Sequence, residues 1–445
     1  MAFLLTRFLF FLLLLPFFVA LAQNNGTVRV GDSLTAGDDN ARWLSPSDDF
    51  AFGFQPLDND HFSVAIWYYK IKIVTIVWYA MKEDKPALAP KRSRLELTAD
   101  NGLVLKDSQG KGLWKSDLTT NTNPVAHAVM NETGNFVVVS ESAQTIWESF
   151  KHPRDTLLPT QIMEIECQLS SRLKENDFST GRFQFRMLSD GDAVLNTINL
   201  PSKQAYDAYY VSGTRDGANP SNSGYRVVFD PSGYLATLNF DGVFTLSYYP
   251  KTPTTNTSWS ILSPAIPDNI CNHVGGELGT GPCGYNSICT LTDDQRPSCK
   301  CPTGYSPFDP SDEYSGCKPD YLGFCDTFPV STGKSQQLED HVKLLPVPNT
   351  NWPTSDYELF KPYSLEDCKQ ACLIDCLCAV VVHNSAGHCR KKKLPLSNGR
   401  EDRQLSSTVF IKLSNSTRPR DTPPHLEDKK EQSNALRANT TLHTI

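Results

Sequence analysis

The sequence predicts a mainly β, multidomain chain, and three observations carry that prediction. Residues 26 to 150 consist of short apolar or alternating runs, such as "FSVAIWYY", "VTIVWYA", "GLVLKD" and "NFVVVS", separated by Asp-Asn, Asn-Gly and Gly-Lys-Gly turn signals. A near-copy recurs inside that region: "ADNGLVLKDSQGKGLWKSD" and "NETGNFVVVSESAQTIWESF" set Leu103, Val104 and Leu105 opposite Phe136, Val137 and Val138. The same alignment sets Trp114 opposite Trp147 and Ser116 opposite Ser149. Twelve of the 13 cysteines crowd between Cys271 and Cys389. At 445 residues the chain suits about three domains, each able to bury a core.

The repeat is a β unit. Its period of 33 residues also matches ankyrin repeats, but those need helices, and the Val-rich "NFVVVS" does not make one. Strand, turn, strand ending in Trp implies a prism or barrel in which each unit donates one Trp to a shared core.

The N-terminus, "MAFLLTRFLFFLLLLPFFVALAQNN", has one Arg, an apolar run and a small-x-small site at Ala20-Leu21-Ala22. It reads as a signal peptide over residues 1–22, since Pro16 interrupts a run shorter than the ~18 to 20 residues that span a bilayer. Secretion makes the clustered cysteines disulfides rather than zinc ligands or catalytic thiols. Five N-glycosylation sequons, at Asn25, Asn131, Asn256, Asn415 and Asn439, fit the same compartment. The net charge of −7 offers no attraction to nucleic acid or an anionic membrane.

A second β region follows, with strand-sized segments such as "GRFQFRML", "GYRVVFD" and "VFTLSYY", closed by the Pro- and Thr-rich "YPKTPTTNTSW". From Cys271 to Cys317, six cysteines stand with 11, 5, 9, 1 and 15 residues between them. So short a segment needs crosslinks, each contributing roughly 2 to 4 kcal/mol. Its spacing resembles an EGF-like module, which implies the pairs Cys271–Cys289, Cys283–Cys299 and Cys301–Cys317, where spacing alone permits 15 pairings. Then Leu365, Cys368, Ala371, Cys372 and Ile374 recur at helical spacing before a strand-like "LCAVVV". That cluster resembles a PAN/apple module, implying Cys368–Cys389, Cys372–Cys378 and Cys325–Cys376. Cys167 is left over, as a buried thiol or an intermolecular bridge.

Taken together, the opening repeat, "WESFKHPRDTLLPTQ", "GPCGYNSICTLTDDQRPSCKCPTGYSPFDP" and "DCKQACLIDCLCAV" resemble the ectodomain of plant G-type (bulb-type) lectin S-receptor-like serine/threonine kinases, over about residues 24 to 413. The resemblance implies a bulb-type lectin β-prism at 24–150, an S-locus-glycoprotein-like β domain at 155–265, an EGF-like module at 271–317 and a PAN/apple-like α+β module at 325–413. In full-length members a transmembrane helix and a kinase follow, at the plasma membrane. Here "VFIKLSNST" is followed only by a polar tail, 414–445, which is expected to be disordered. "SGYLATLNFDGVF" joins family segments that usually lie further apart, so the second β domain is expected to be shortened.

Bulb lectins hold mannose through Gln-x-Asp-x-Asn-x-Val-x-Tyr, expected on one strand with every named side chain on the same face. In the first repeat those positions are Thr98, Asp100, Gly102, Val104 and Lys106, so Asp100 and Val104 match; in the second they are Asn131, Thr133, Asn135, Val137 and Val139, so Asn135 and Val137 match. Both have lost the Gln and the Tyr, and a pocket short of polar partners discriminates poorly. A glycan on Asn131 would cover the second site.

Other motifs carry no chemistry. "GTGPCG" at 279–284 has neither strand before nor helix after it, and "KHPRD" at 151–155 lacks the other kinase signatures, which leaves it a turn between β domains. The nine His show no metal spacing, and no Ser-His-Asp set can be placed. "RKKKLP" at 390–395 reads as a solvated edge. The sequence therefore predicts a secreted, non-enzymatic recognition protein with no cofactor and no metal. Its partners are an extracellular mannose-type glycan or a protein ligand, with homo- or hetero-dimers of related ectodomains, no nucleic acid and no membrane span after signal removal. Two other readings are a fragment of a transmembrane kinase and a non-functional remnant.

Overall fold

The computed structural model describes residues 26–119, 123–229, 234–250, 258–276, 279–321, 342–401, 403–404 and 406–415. The expected signal peptide, the polar tail from 416 onward, Cys325 and the sequons at Asn25, Asn256 and Asn439 lie outside them, while Ser414 of the expected tail ends a strand. The chain divides into two compact units, residues 1–273 and 274–445. Among the described residues no helix is long and apolar enough to cross a membrane.

The first unit opens with three hairpin-built sheets. They hold β1 (Phe50–Pro56), β2 (His61–Tyr68) and β3 (Thr75–Tyr79); β4 (Arg94–Thr98), β5 (Gly102–Lys106) and β6 (Gly112–Lys115); and β7 (Val125–Met130), β8 (Phe136–Ser140) and β9 (Thr145–Glu148). The N-terminal segment lends each sheet a further strand: Arg42–Leu44 beside β1, Ser33–Thr35 beside β4 and Thr27–Arg29 beside β7. Alternation aims one face of each strand inward. Leu103 and Leu105 of β5, Phe136 and Val138 of β8, and Val64 and Ile66 of β2 are buried in one core.

At its centre three tryptophans meet edge to face, one from each sheet. Trp78 lies 6.2 Å from Trp114 and 5.8 Å from Trp147, and Trp114 lies 6.4 Å from Trp147. Such T-shaped pairs add to burial through the ring quadrupole. Each sheet donates one Trp to this triad, the sheet of β1 to β3 adds Trp43 to the same core, and there are three sheets where the sequence displayed two repeats.

Residues 156–266 build a second β region within the same compact unit. One sheet is the meander β11 (Gln168–Lys174), β12 (Asp177–Met187), β13 (Ala193–Ile198) and β14 (Ala205–Val211). The other runs Thr156–Leu157, β16 (Tyr234–Leu238), β17 (Phe244–Tyr248) and β18 (Ser260–Ile266). A ribbon pairs β10 (Ile162–Glu164) with β15 (Arg226–Val228).

The "KHPRD" turn is the joint between the two. Trp78 donates its indole N–H to the His152 carbonyl at 2.9 Å, and Arg154 Nε donates to the Tyr79 carbonyl at 2.7 Å. Asp155, almost fully buried, pairs with Arg172 Nε at 2.6 Å. Arg172 also donates to the Ile76 carbonyl at 3.2 Å and lies over the Phe178 ring at 4.2 Å.

In the second unit, Cys283–Cys299 and Cys301–Cys317 bridge the first cysteine-rich segment, and Cys368–Cys389 and Cys372–Cys378 the last. Cys271, Cys289 and Cys376 are also disulfide-bonded, and Cys167 is a free thiol. The first segment's glycines serve close approach: a Cβ on Gly284, at φ +76°, would meet the Gly316 nitrogen at 2.6 Å. Ser364 caps the helix α1 (Leu365–Leu373), accepting the Asp367 N–H. Ile374, expected in the helical repeat, falls just past its end and is exposed. The helix packs on a five-stranded sheet of Val342–Pro346, Ser407–Ser414, Val380–Asn384, Cys389–Lys392 and Asp356–Phe360. Tyr305 and Cys317 share a core with Trp352, Val380, Leu396 and Ile411, so both segments close one interior.

The expectation of a solvated edge at Arg390 to Pro395 holds at Lys393 and Pro395, which are exposed, and is overturned at Lys391 and Lys392. Lys391 and Lys392 are 5% and 2% exposed, because their strand lies inside the sheet and both its faces are covered. Three carboxylates meet them: Lys391 pairs with Glu358 at 2.7 Å and Asp375 at 2.5 Å, and Lys392 with Asp356.

Candidate functional site

The register between strands shows which positions of the three sheets correspond. Leu103 donates its N–H to Ser116 Oγ at 3.0 Å, and Phe136 donates to Ser149 Oγ at 3.0 Å. Ser116 N–H returns to the Leu103 carbonyl at 2.9 Å, and Ala80 N–H to the Val64 carbonyl at 2.8 Å. Leu103, Phe136 and Val64 are therefore equivalent. One residue earlier stand Gly102, Asn135 and Ser63, of which Gly102 and Ser63 pair across their hairpins with Thr98 and Gln55. Asn131 holds the same place at the end of the third hairpin, its N–H bonded to the Asn135 carbonyl at 3.0 Å.

This register corrects the expectation that the five positions share one strand. Thr98 ends β4 and Gly102 begins β5, with Asp100 exposed in the turn between them. Gly102 sits at φ +63°, and a Cβ there would meet Ser116 Oγ at 2.5 Å, so the turn admits no side chain where the motif has Asn. Thr98 Oγ1 is spent on the Gly102 carbonyl at 3.0 Å. Only Val104 and Lys106 project outward from β5, half-buried and exposed respectively.

In the second repeat Asn135 is buried and fully engaged. Its Oδ1 accepts from Ser149 Oγ and the Phe150 N–H, both at 3.1 Å, and its Nδ2 donates to Glu148 at 2.7 Å. Val137 and Val139 face outward and are half-buried, and Asn131 and Thr133 flank the turn. The structure thus brings Asn135 near Val137, as the motif requires, but assigns the Asn to holding the strand Thr145–Glu148 against its neighbour.

The remaining sheet holds what sequence comparison missed. By register Gln55 stands where the motif has Gln, Ala65 where it has Val and Trp67 where it has Tyr. Gln55, Trp67, Asn59 and Arg42 line a groove of about 340 Å³, whose rim carries Asp38, Asp39 and Lys91. An indole beside two carboxylates, two amides and two cations is a mixed lining, able to bond hydroxyls and pack against apolar carbons. Seven residues, 56 to 62, separate Gln55 from Ser63, where three, 99 to 101, separate Thr98 from Gly102; that longer loop hides the repeat. The signal that could have found it is the Trp-x-small ending: Trp78-Tyr79-Ala80 matches Trp114-Lys115-Ser116 and Trp147-Glu148-Ser149.

The second β domain covers the other side of this sheet's outer face. Ala65, Tyr79 and Trp67 are buried there beside Phe178, whose ring lies 4.9 Å from Tyr79. The Gln55 groove lies open beside the covered part. Among the described residues no group of three His, Cys, Asp or Glu could hold a metal.

The family profile for "D-mannose binding lectin" matches residues 75–179. The G-type lectin S-receptor-like serine/threonine-protein kinase LECRK2 of Oryza sativa subsp. indica is 36% identical over 436 residues, 89% of this chain and 52% of that protein. RLK1 of Arabidopsis thaliana, of the same description, is 36% identical over 446 residues, 91% of this chain and 52% of that protein. Among solved structures, a monomeric monocot mannose-binding lectin from Gastrodia elata is 18% identical, covering 28% of this chain and 96% of its own, with a TM-score of 0.21. The chain spans about half the length of the curated relatives it matches. It carries a mannose-type lectin domain and belongs to the plant G-type lectin S-receptor-like serine/threonine kinase family, of which it resembles the part ahead of the kinase.

Proposed function

We propose that this chain recognises an extracellular mannose-type glycan through the groove lined by Gln55 and Trp67, and performs no catalysis itself. The observation that carries this is the register: one sheet of three keeps the motif's Gln and places an aromatic where the motif has Tyr. Gln55 and Asn59 would bond vicinal hydroxyls, and the Trp67 edge would pack against a sugar's C–H face. The outward Val104, Val137 and Asp100 form at most apolar or charged rims on the other sheets. One such groove per chain binds weakly, so useful avidity requires several chains or a multivalent glycan. Secretion fits the N-terminal apolar segment, the sequons and the disulfides.

The test is a glycan array on the secreted protein, followed by calorimetry with the best mannoside against wild type, Gln55→Ala and Val104→Lys. Loss of binding in Q55A alone supports the groove. Loss in V104K alone moves the site to the β5 face, and no glycan binding at all leaves a protein ligand.

A second reading has one observation in its favour: the curated relatives are receptor-like kinases and this chain spans half of each. In that reading it is the sensing part of a plasma-membrane kinase. Transcript sequencing past the codon for Ser416 decides it, an in-frame apolar span and kinase motifs favouring the longer protein.

A further inference from the structure

The second β domain contains a cavity that the glycan reading does not use. Phe185, Met187, Ala193, Leu195, Tyr210 and Phe244 line a half-open pocket of about 290 Å³. The space is largely apolar, and its polar members are mostly occupied. Ser212 and Thr214 bond each other at 2.7 Å, and Thr214 donates to the Gly191 carbonyl at 2.6 Å. A concave, mostly apolar pocket open to solvent and carrying few polar groups is the form small-molecule sites take, so this one suits an apolar occupant.

One charged group lines it. Arg226, on the ribbon strand Arg226–Val228, is exposed and has no ion pair among the described residues; its guanidinium lies over the Tyr225 ring at 5.0 Å. Its register partner across the ribbon is Glu164, also exposed. An apolar chamber with an unpaired, always-charged cation at its edge is complementary to a compact apolar body carrying one anionic group. The aromatic lining, with Phe185 and Phe244 at 5.0 Å, adds a preference for a flat ring.

We propose that this cavity binds a small aromatic monocarboxylate, its ring among Phe185, Leu195 and Phe244 and its carboxylate on Arg226. At the ~30 Å³ a water molecule occupies in the liquid, the space holds about ten non-hydrogen atoms, the size of a phenylpropanoid acid.

The probes are 3-phenylpropanoate and the neutral 3-phenylpropan-1-ol, titrated by calorimetry into the full secreted chain. The acid should bind wild type more tightly than the alcohol. Arg226→Gln should weaken the acid roughly tenfold and leave the alcohol unchanged, while Glu164→Gln should tighten the acid. Ala193→Phe, which fills the space, should abolish both. Because Arg226 and Glu164 are exposed, those two variants test the proposal even where A193F fails to fold. Absence of binding by both probes overturns it, as does acid binding that R226Q leaves unchanged. Q55A, which tests the glycan groove, should alter neither titration.

Discussion

The hydroxyl of Ser149 accepts the backbone N–H of Phe136 at 3.0 Å and in turn donates to Asn135 Oδ1 at 3.1 Å. Ser116 treats Leu103 the same way, so the serine of the repeated Trp-x-Ser ending closes each hairpin onto its third strand. Both serines are 2% exposed. Replacing Ser149 with Ala leaves the buried Phe136 N–H unmet and takes from Asn135 Oδ1 one of its two donors, the Phe150 N–H remaining, which should cost about 1 to 3 kcal/mol in a denaturant melt. Ser116→Ala should cost less within that range, because its hydroxyl's own donation, to the Asn101 carbonyl at 3.4 Å, is long.

The tryptophan triad makes a second expectation. Trp78 touches Trp114 and Trp147, and its indole N–H reaches the His152 carbonyl, so it couples the prism core to the joint with the next domain. Trp78→Phe should lower stability by roughly 1 to 3 kcal/mol through the lost hydrogen bond and volume, and Trp78→Ala by about 3 to 5. Trp147→Phe keeps the His152 bond and should cost less than W78F; equal losses would remove the coupling role.

Much of this was legible from the residues. Alternation and turn chemistry specified the prism's strands, and the Trp-x-Ser echo announced its core, because buried positions and hairpin turns restrict residue choice strongly. The strands β2 and β3 were legible, but their sheet's place as a third copy of the repeat was not, since a longer loop breaks its period and Ala80 replaces the serine that marks the other two. Asn135 looked like a sugar ligand because a sequence records an amide but not its partners; Ser149, Phe150 and Glu148 use it. Lys391 and Lys392 looked solvated because their answering acids, Asp356, Glu358 and Asp375, come from other segments.

The joint between the two β domains rests on a buried ion pair, and such pairs are costly to break from one side. Arg172 meets Asp155 at 2.6 Å with both side chains largely out of water. Asp155→Ala should cost about 3 to 5 kcal/mol by leaving the guanidinium unpaired. Arg172→Met together with Asp155→Leu should recover part of that loss. The double-mutant cycle is read by urea unfolding, and additive losses would mean the pair does not couple.

Lys412 supplies a pH dependence whose sign can be worked out. Its ammonium donates to the carbonyls of Cys372 at 3.0 Å, Leu373 at 3.1 Å and Asp375 at 2.9 Å, at the C-terminal end of α1 where the helix leaves acceptors unmet. Burial nonetheless lowers its pKa from the ordinary 10.5 to about 8. Because the folded value lies below the unfolded one, the unfolded chain binds the extra proton between about pH 8 and 10.5, and this group's contribution to stability rises with pH across that window. Lys412→Met removes the dependence. The stability difference, wild type minus variant, should therefore grow in favour of wild type by about 1 kcal/mol between pH 7 and pH 9, read from urea midpoints at the two values. A difference that stays flat would show the amine charged throughout the range, with the three carbonyls outweighing its burial.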